Sequence, residues 1–421
     1  TATISPVNNF TIGVTNNWSS AAVAGITGHA TTGSSNVTET LINTTTTPQT
    51  LVYTYTPTAA GCAGTTQQFT VTVNPAPTMS SPTNTTICSE NALSFNLNTN
   101  IPGSTFNWIA SDNTNTTGET TTTQNASSIT DAITNNVTSL QIVTYSVIPT
   151  GAAGACPGVQ QTVTVNINPT PTLTSANTAT LCSGGSVNIP LTANVASTYT
   201  WVANSNANVT GESTTNQTAN TLNNTLTTAV GSAPETVLYT ITPQSIAGAC
   251  SGTPQTVTVT VNSLPIVTAT TSSAAICLGN TATLTATGAD TYTWTSGPTA
   301  ATQTVNAPGT YTVRGTNAVT GCTNTTNVSV LVNPLPVVTA NSTAASICSG
   351  NTATLTAGGA QTYTWTSTAS TNTVITVAPT AATIYTVNGT DANGCVNSRT
   401  VSVSVNATPT VAITASSGTI C

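Results

Sequence analysis

The sequence predicts an all-β chain, built as a tandem array of small antiparallel β-sandwiches in an extended rod. A run of alternating Val and Thr that ends in Asn, with Pro three residues later, occurs five times. Between these runs lie short segments with apolar residues at every second position, the pattern of half-buried strands. Self-similarity of this kind indicates one structural unit copied along the chain. The five prolines are Pro77, Pro171, Pro265, Pro336 and Pro409.

The repeated Asn and Pro residues set the predicted module boundaries. Proline fixes φ, so each one predicts a stiff linker. The intervals have two sizes, and either size fits one small domain. The predicted modules 1 to 5 are residues 1–74, 75–168, 169–262, 263–333 and 334–406, and residues 407–421 are the first strand of a further repeat. Module 1 has no Cys before its Trp, so we expect the sequence to be a window from a longer array.

Module 5 shows the strand pattern most clearly. An opening extended segment ends near Ile347 and Cys348, and Asp391–Gly394 is a turn signal before the closing strand. Six or seven short strands with turns at regular intervals are typical of an antiparallel sandwich. The predicted inner strands cover residues 352–357, 363–365, 373–377, 383–387 and 401–405.

Aromatic residues recur at fixed places in the modules. A Trp on the third strand and a Tyr on the sixth form an immunoglobulin-like core arrangement. We therefore interpret these side chains as structural core and not as binding residues. They are Trp18, Trp108, Trp201, Trp294 and Trp365, with Tyr145, Tyr239, Tyr311 and Tyr385.

Charge is almost absent from the chain. The formal net charge is −7 over 421 residues, with two Arg and no Lys. Nucleic acid as a partner is excluded, because phosphate binding needs clustered Lys and Arg. The apolar runs are only as long as strands, so no membrane span is predicted. The uncharged strand edges would not repel an identical neighbour, so we expect self-association into a fibre or bundle.

The sequence offers no pattern that indicates catalysis, a cofactor or a metal. No carboxylate pair recurs at a spacing suited to hydrolysis, and no Gly-rich phosphate loop or CxxC pair is present. The only histidine, His29, stands where the other larger modules have Glu119 and Glu212. We therefore predict that the chain is not an enzyme.

Ten cysteines at regular spacings favour an oxidising, extracellular compartment. The interval from the second Cys of one module to the first Cys of the next is always 26 or 27 residues. These two cysteines are separated by strands that run end to end, so a disulfide between them is unfavourable, since it needs Cα atoms within about 7 Å.

Two other pairings stay open, as do bonds between chains and free thiols. The first joins neighbouring modules, because strand direction places one Cys of each module at the pole facing the next and the other at the pole facing the previous one. It gives Cys88–Cys250, Cys182–Cys322 and Cys277–Cys395. The second pairs cysteines within modules, although a strand of about eight residues spans roughly 26 Å. It gives Cys88–Cys156, Cys182–Cys250, Cys277–Cys322 and Cys348–Cys395.

With these residues laid out, the chain resembles the PKD-like and immunoglobulin-like tandem-repeat surface proteins of Bacteroidota. The matching phrases are residues 347–357, 363–365 and 385–395, with 201–211 and 256–262 for the larger modules. The resemblance implies export by the type IX system. Such proteins include gliding-motility adhesins of the SprB type and the grappling filaments of predatory relatives.

We expect a structural stalk in a cell-surface filament used for attachment, gliding motility or contact with prey. A cell-surface or polysaccharide ligand would then be bound by regions outside this sequence. A carbohydrate-binding repeat array is the first alternative, but the few aromatic residues are nearly exhausted by the core positions. The second alternative is a spacer in a secreted enzyme.

Overall fold

The structure is a computed structural model that describes residues 2–7, 13–295 and 297–414. Within these ranges all regular secondary structure is β, and no helix is present. The predicted all-β class of tandem sandwiches is confirmed. The alternation of apolar and hydroxyl residues explains it, since successive side chains of a strand point to opposite faces of the sheet.

Module 1 contains nine strands in the residues that the structure describes. Its Trp strand β2 pairs with the long Tyr strand β7, which also pairs with the closing strand β9. The strands are β1 (Ala2–Ile4), β2 (Val14–Ser20), β3 (Ile26–Thr27), β4 (Thr32–Ser34), β5 (Val37–Glu39), β6 (Ile42–Asn43), β7 (Gln49–Ala59), β8 (Cys62–Ala63) and β9 (Gln67–Val73).

Module 2 has one four-stranded sheet, in the order β10-β17-β16-β12, covered by a second layer of two-residue strands. Its opening strand runs parallel to its closing strand. The strands are β10 (Asn84–Cys88), β11 (Phe95–Asn96), β12 (Thr105–Ala110), β13 (Thr116–Thr117), β14 (Ser128–Ile129), β15 (Thr134–Asn135), β16 (Gln141–Thr150) and β17 (Gln161–Asn168).

Module 3 repeats this plan with the sheet β18-β26-β25-β21. The strands are β18 (Thr178–Cys182), β19 (Gly185–Ser186), β20 (Ile189–Pro190), β21 (Ser197–Ala203), β22 (Val209–Thr210), β23 (Thr221–Leu222), β24 (Thr225–Thr228), β25 (Glu235–Ser245) and β26 (Gln255–Asn262).

Modules 4 and 5 are seven-stranded sandwiches of a three-stranded and a four-stranded sheet. Module 4 contains β27 (Thr268–Thr271), β28 (Ala275–Cys277), β29 (Ala282–Thr287), β30 (Thr291–Trp294), β31 (Thr302–Val305), β32 (Gly309–Thr316) and β33 (Thr323–Asn333). Module 5 contains β34 (Thr339–Ser342), β35 (Ser346–Cys348), β36 (Ala353–Gly358), β37 (Thr362–Trp365), β38 (Val374–Val377), β39 (Thr383–Thr390) and β40 (Val396–Asn406).

The opening segment of module 5 differs from the sequence-based prediction. It is not one strand, because β34 pairs with β36 in one sheet and β35 pairs with β40 in the other. A strand that changes sheets forms a corner of a sandwich. The Trp365 strand is therefore the fourth of this module and not the third.

Each module has its own apolar core, and the five cores lie inside the five predicted ranges. All five Trp side chains are buried, as are Tyr145, Tyr239 and Tyr385. Tyr311 differs from this pattern, since it is only partly buried and donates its hydroxyl to the carbonyl of Ala307 at 2.8 Å, in an exposed position. The core of module 4 is instead completed by Tyr292 on the Trp strand.

In modules 1 to 3 the Trp and Tyr rings pack edge to face. The centroids of Trp108 and Tyr145 are 5.7 Å apart at an interplanar angle of 67°. Such pairs add about 0.5–1.5 kcal/mol to the burial of area alone. The Nε1 atom of Trp108 also donates to the carbonyl of Ala126 at 3.2 Å, which satisfies the buried indole N–H.

Candidate functional site: the disulfide-linked joints

The opening cysteine of a module lies at the pole where the chain leaves that module. In module 2, β10 runs parallel to β17 and places Cys88 beside Asn168, the last residue of β17. The next backbone N–H, of Ser89, donates to the Asn168 carbonyl at 2.8 Å. The same register recurs in the pairs Cys182 and Asn262, Cys277 and Asn333, and Cys348 and Asn406.

The second cysteine lies at the opposite pole, in the loop before the closing strand. Cys250 follows β25 and is fully buried. Its carbonyl accepts the N–H of Ser245 at 2.8 Å, and its own N–H donates to Ser245 Oγ at 3.0 Å. Gly248 has a φ of +77°, a conformation that glycine adopts without steric cost. The loop is thus a fixed turn that presents the sulfur to the preceding module.

The described residues contain three disulfides, and each one joins neighbouring modules with its Cα atoms 5.5 Å apart. These are the pairs that strand direction favours, whereas the within-module pairs are not formed. The long strands explain why, since they place the two cysteines of a module at opposite ends. The disulfides are Cys88–Cys250, Cys182–Cys322 and Cys277–Cys395, in place of Cys88–Cys156, Cys182–Cys250, Cys277–Cys322 and Cys348–Cys395.

Close backbone packing surrounds the disulfide between modules 2 and 3. A Cβ atom on Gly248 would collide with the Asn168 side-chain amide, and one on Gly252 would collide with the carbonyl of Pro171. Pro171 itself is buried. The two modules therefore meet through main chain and proline as well as through the sulfur atoms. Of the other predicted linker prolines, the structure buries Pro77 and Pro336, half-buries Pro265 and exposes Pro409.

Asn side chains fasten the linkers in the smaller modules. Asn324 Nδ2 donates to the Pro265 carbonyl at 3.0 Å, and Asn397 Nδ2 donates to the Pro336 carbonyl at 2.9 Å. Each Asn belongs to the closing strand of the module that its proline precedes. The linker is thereby held against the body of the module, which restricts bending at the joint.

Three of the cysteines in the described part of the chain are free thiols. Cys62 and Cys348 are exposed, and Cys156 is partly buried. Cys348 has the position of the opening cysteines, whereas Cys62 lies in the short strand β8 and Cys156 in a loop, each before the closing strand of its module. Cys421 lies outside the described residues, as does the end of the predicted segment 407–421.

A polar cluster in the core of module 2 was missed by sequence reasoning. Tyr145 donates its hydroxyl to Asp131 Oδ2 at 2.6 Å, and Thr120 donates its hydroxyl to Asp131 Oδ1 at 2.6 Å. Burial, followed by the hydrogen bond to Asp131, raises the pKa of Tyr145 well above its usual value. The phenol is thus neutral at physiological pH, as a buried hydrogen-bond donor must be.

The other larger modules keep this hydrogen bond with different acceptors. Tyr53 donates to Glu39, and Tyr239 donates to Asn224 Oδ1 at 2.9 Å. The signal in the sequence is a polar residue 14 or 15 positions before the core Tyr. The repeating positions noted from the sequence lie nearby: Glu119 and Glu212 accept backbone N–H groups, and the His29 ring is 6.0 Å from that of Tyr53.

The described residues offer thiol and disulfide chemistry at the joints. They contain no group of three or more His, Cys, Asp or Glu side chains arranged to hold a metal ion. None of the segments in the described ranges forms a helix suited to crossing a membrane. The joints can instead form covalent links between modules, which thiol–disulfide exchange opens and closes.

The family model described as "PKD-like domain" matches residues 3–77, 85–171 and 179–265. Among solved structures, the chain is similar to the human desmocollin-1 ectodomain at 13% identity, covering 96% of this chain and 94% of that one, with a TM-score of 0.23. It is similar to mouse cadherin-23 EC22-24 at 13% identity, with coverage of 62% and 99% and a TM-score of 0.27. No curated protein matches the chain.

Proposed function

Because the chain belongs to the PKD-like domain family, we propose that its modules form a structural stalk segment of a long extracellular filament. What repeats along the chain is the joint between modules, and a repeated joint is a mechanical feature. The disulfides at three successive joints are the observation that carries the proposal. Each one fixes the opening strand of a module to the last loop of the next.

The extracellular location of the stalk follows from the same three disulfides. Disulfides persist in oxidising environments and are rare in the cytosol. The surface is consistent with this location, because it is built from hydroxyl and amide groups with only 3% charged residues. The stalk is therefore exposed outside the cell.

The parent protein is a cell-surface adhesin of the Bacteroidota type, exported by the type IX system. The phrases at residues 347–357 and 385–395 support this assignment. In that setting the filament serves attachment, gliding motility or contact with prey, and other regions of the parent protein bind the cell-surface or polysaccharide ligand. Uncharged strand edges favour bundles of several identical chains.

Small-angle X-ray scattering of the full chain tests whether the modules form an extended stalk. Five modules of about 40 Å each, from strand length plus linker, give a maximum dimension of about 200 Å. We expect this dimension in oxidised protein and a broader distribution of shapes after reduction. A particle of half that length, or one whose scattering is unchanged by reduction, would contradict the proposal. The Cys348→Ser variant is the matched control, since Cys348 forms no disulfide in the structure.

A further inference from the structure

One short segment of chain connects the two joints that lie on either side of modules 3 and 4. Cys250, at the joint of modules 2 and 3, is bonded to Cys88. Cys277, at the joint of modules 4 and 5, is bonded to Cys395. A covalent path from Cys88 to Cys395 therefore needs only two disulfides and residues 250–277, whereas the backbone path needs every residue between the two cysteines.

This segment is almost fully extended in the folded chain. More than half of it is strand, since it contains β26 of module 3 and both β27 and β28 of module 4. At about 3.3–3.6 Å for each residue, the segment can reach about 90 Å. The two modules that it crosses need about 80 Å, because strand length plus linker gives about 40 Å for each module. Little slack is left between the two joints.

The segment runs beside a second covalent path. In module 3, β26 lies between β25 and β18, and β18 runs parallel to it with Cys182 beside Asn262. In module 4, β28 runs parallel to β33 with Cys277 beside Asn333. The two parallel neighbours, β18 and β33, are joined by the disulfide of Cys182 with Cys322. Two covalent paths thus pass side by side through modules 3 and 4.

Most of modules 3 and 4 lies outside both paths. The stretch between the two cysteines of a module, here called its body, holds the Trp strand and the Tyr strand. The bodies are residues 183–249 in module 3 and 278–321 in module 4, and they differ in length by more than 20 residues. The interval from the second Cys of one module to the first Cys of the next is nevertheless always 26 or 27 residues. Residue count fixes the reach of a chain, so a segment that spans two joints must keep its length, whereas a body can vary.

We propose that residues 250–277 are a tether, which carries a pulling force past the bodies of modules 3 and 4. Force that arrives at Cys88 crosses to Cys250, follows β26, the linker, β27 and β28, and leaves from Cys277 to Cys395. The bodies stay folded, because the tether reaches its full length before they are stretched. Such a tether has a use in a chain that bears load, so this inference rests on the proposed stalk function.

Optical-trap stretching of the full chain tests the tether. The chain is held by handles fused to its two ends, and its free thiols are alkylated. In oxidised protein we expect no unfolding step from modules 3 and 4 at forces that unfold module 1, whose Cys62 is a free thiol. Reduction of the disulfides should lengthen the stretched chain by about 1,000 Å, at about 3.5 Å for each residue released.

Two double variants, each lacking one joint disulfide, make the test specific. Cys277→Ser with Cys395→Ser breaks the tether, so the shortest covalent path runs through the bodies. The stretched oxidised chain should then be about 400 Å longer. Cys182→Ser with Cys322→Ser is the matched control, because it removes a disulfide but leaves the tether whole. Its stretched length should equal that of the unsubstituted chain. Non-reducing peptide maps verify that the two remaining disulfides of each variant are intact.

Equal lengthening in the two variants would overturn the tether. Unfolding steps from modules 3 and 4 in the unsubstituted oxidised chain would do the same. Failure of the tether differs from failure of the stalk. A chain that scatters as a particle of about 200 Å, but whose two variants lengthen equally, keeps the stalk and loses the tether. A particle of half that length contradicts the stalk, whichever variant lengthens.

Discussion

Tyr145 and Asp131 share a hydrogen bond of 2.6 Å in the core of module 2. Both side chains are buried, and the carboxylate accepts three hydrogen bonds in all, from Tyr145, the Thr120 hydroxyl and the Thr120 N–H. The pair ties the segment between β14 and β15 to the Tyr strand β16. Modules 1 and 2 therefore hold a carboxylate beside the core Tyr, whereas module 3 has the amide of Asn224 there.

The Tyr145→Phe substitution should destabilise module 2 by about 1–3 kcal/mol, because it leaves a buried carboxylate with one hydrogen bond fewer. Native-state hydrogen exchange of peptides from β16 measures this change within the full chain. Tyr311→Phe is the matched control, since its hydroxyl bonds at an exposed position. Equal effects of the two substitutions would show that the Asp131 bond is not stabilising.

Stability should fall as the pH rises above about 10, the ordinary tyrosine pKa. Burial, the largest cause, raises the pKa values of Tyr53, Tyr145 and Tyr239 in the folded state. Below pH 10 the folded and unfolded states both keep the phenol protons, so the three tyrosines contribute their full stabilisation. Above pH 10 the unfolded chain loses protons that the folded chain keeps, so the free energy of unfolding decreases. Thermal unfolding of protein with alkylated thiols, measured between pH 8 and 11, tests this dependence. The Tyr145→Phe variant should lose less stability over this pH range than the unsubstituted chain.

Removing one joint disulfide should loosen that joint without unfolding the modules. We expect Cys277→Ser to increase cleavage in the linker around Pro336, because the cross-link no longer restricts the two modules, and a native disulfide typically contributes about 2–4 kcal/mol. Limited proteolysis with a protease of broad specificity provides the measurement. The control is Cys348→Ser, which removes a free thiol. Cleavage that is identical in both variants would mean that packing alone holds the joint.

Asp391 orders the loop that carries Cys395. Its Oδ1 atom accepts the N–H groups of Asn393 at 2.9 Å and Cys395 at 2.8 Å. The Asp391→Ala substitution should slow formation of the Cys277–Cys395 disulfide during oxidative refolding, since the loop loses these bonds. Quenched alkylation followed by mass spectrometry gives the rate. Asp112→Ala, at an exposed residue, should leave the rate unchanged.

The sequence predicts the β class because the period-two pattern records which face of each strand is buried. It also favours the joint pairs, since strand direction decides which pole holds Cys88 and which holds Cys250. The same pattern does not record which polar groups meet across a core, so the Asp131 partner of Tyr145 was missed. It also did not reveal the split of the opening segment into β34 and β35, because a corner leaves the alternation intact.

The three disulfide-closed rings overlap along the chain, since they span residues 88–250, 182–322 and 277–395. Every peptide bond between Cys88 and Cys395 is enclosed by at least one ring. A single nick by a protease anywhere in that stretch therefore releases no fragment, and the protein keeps an unbroken covalent route from end to end. Under tension the same rings limit how far an unfolding module can lengthen, because the disulfide bears the force before the polypeptide inside the ring is fully extended.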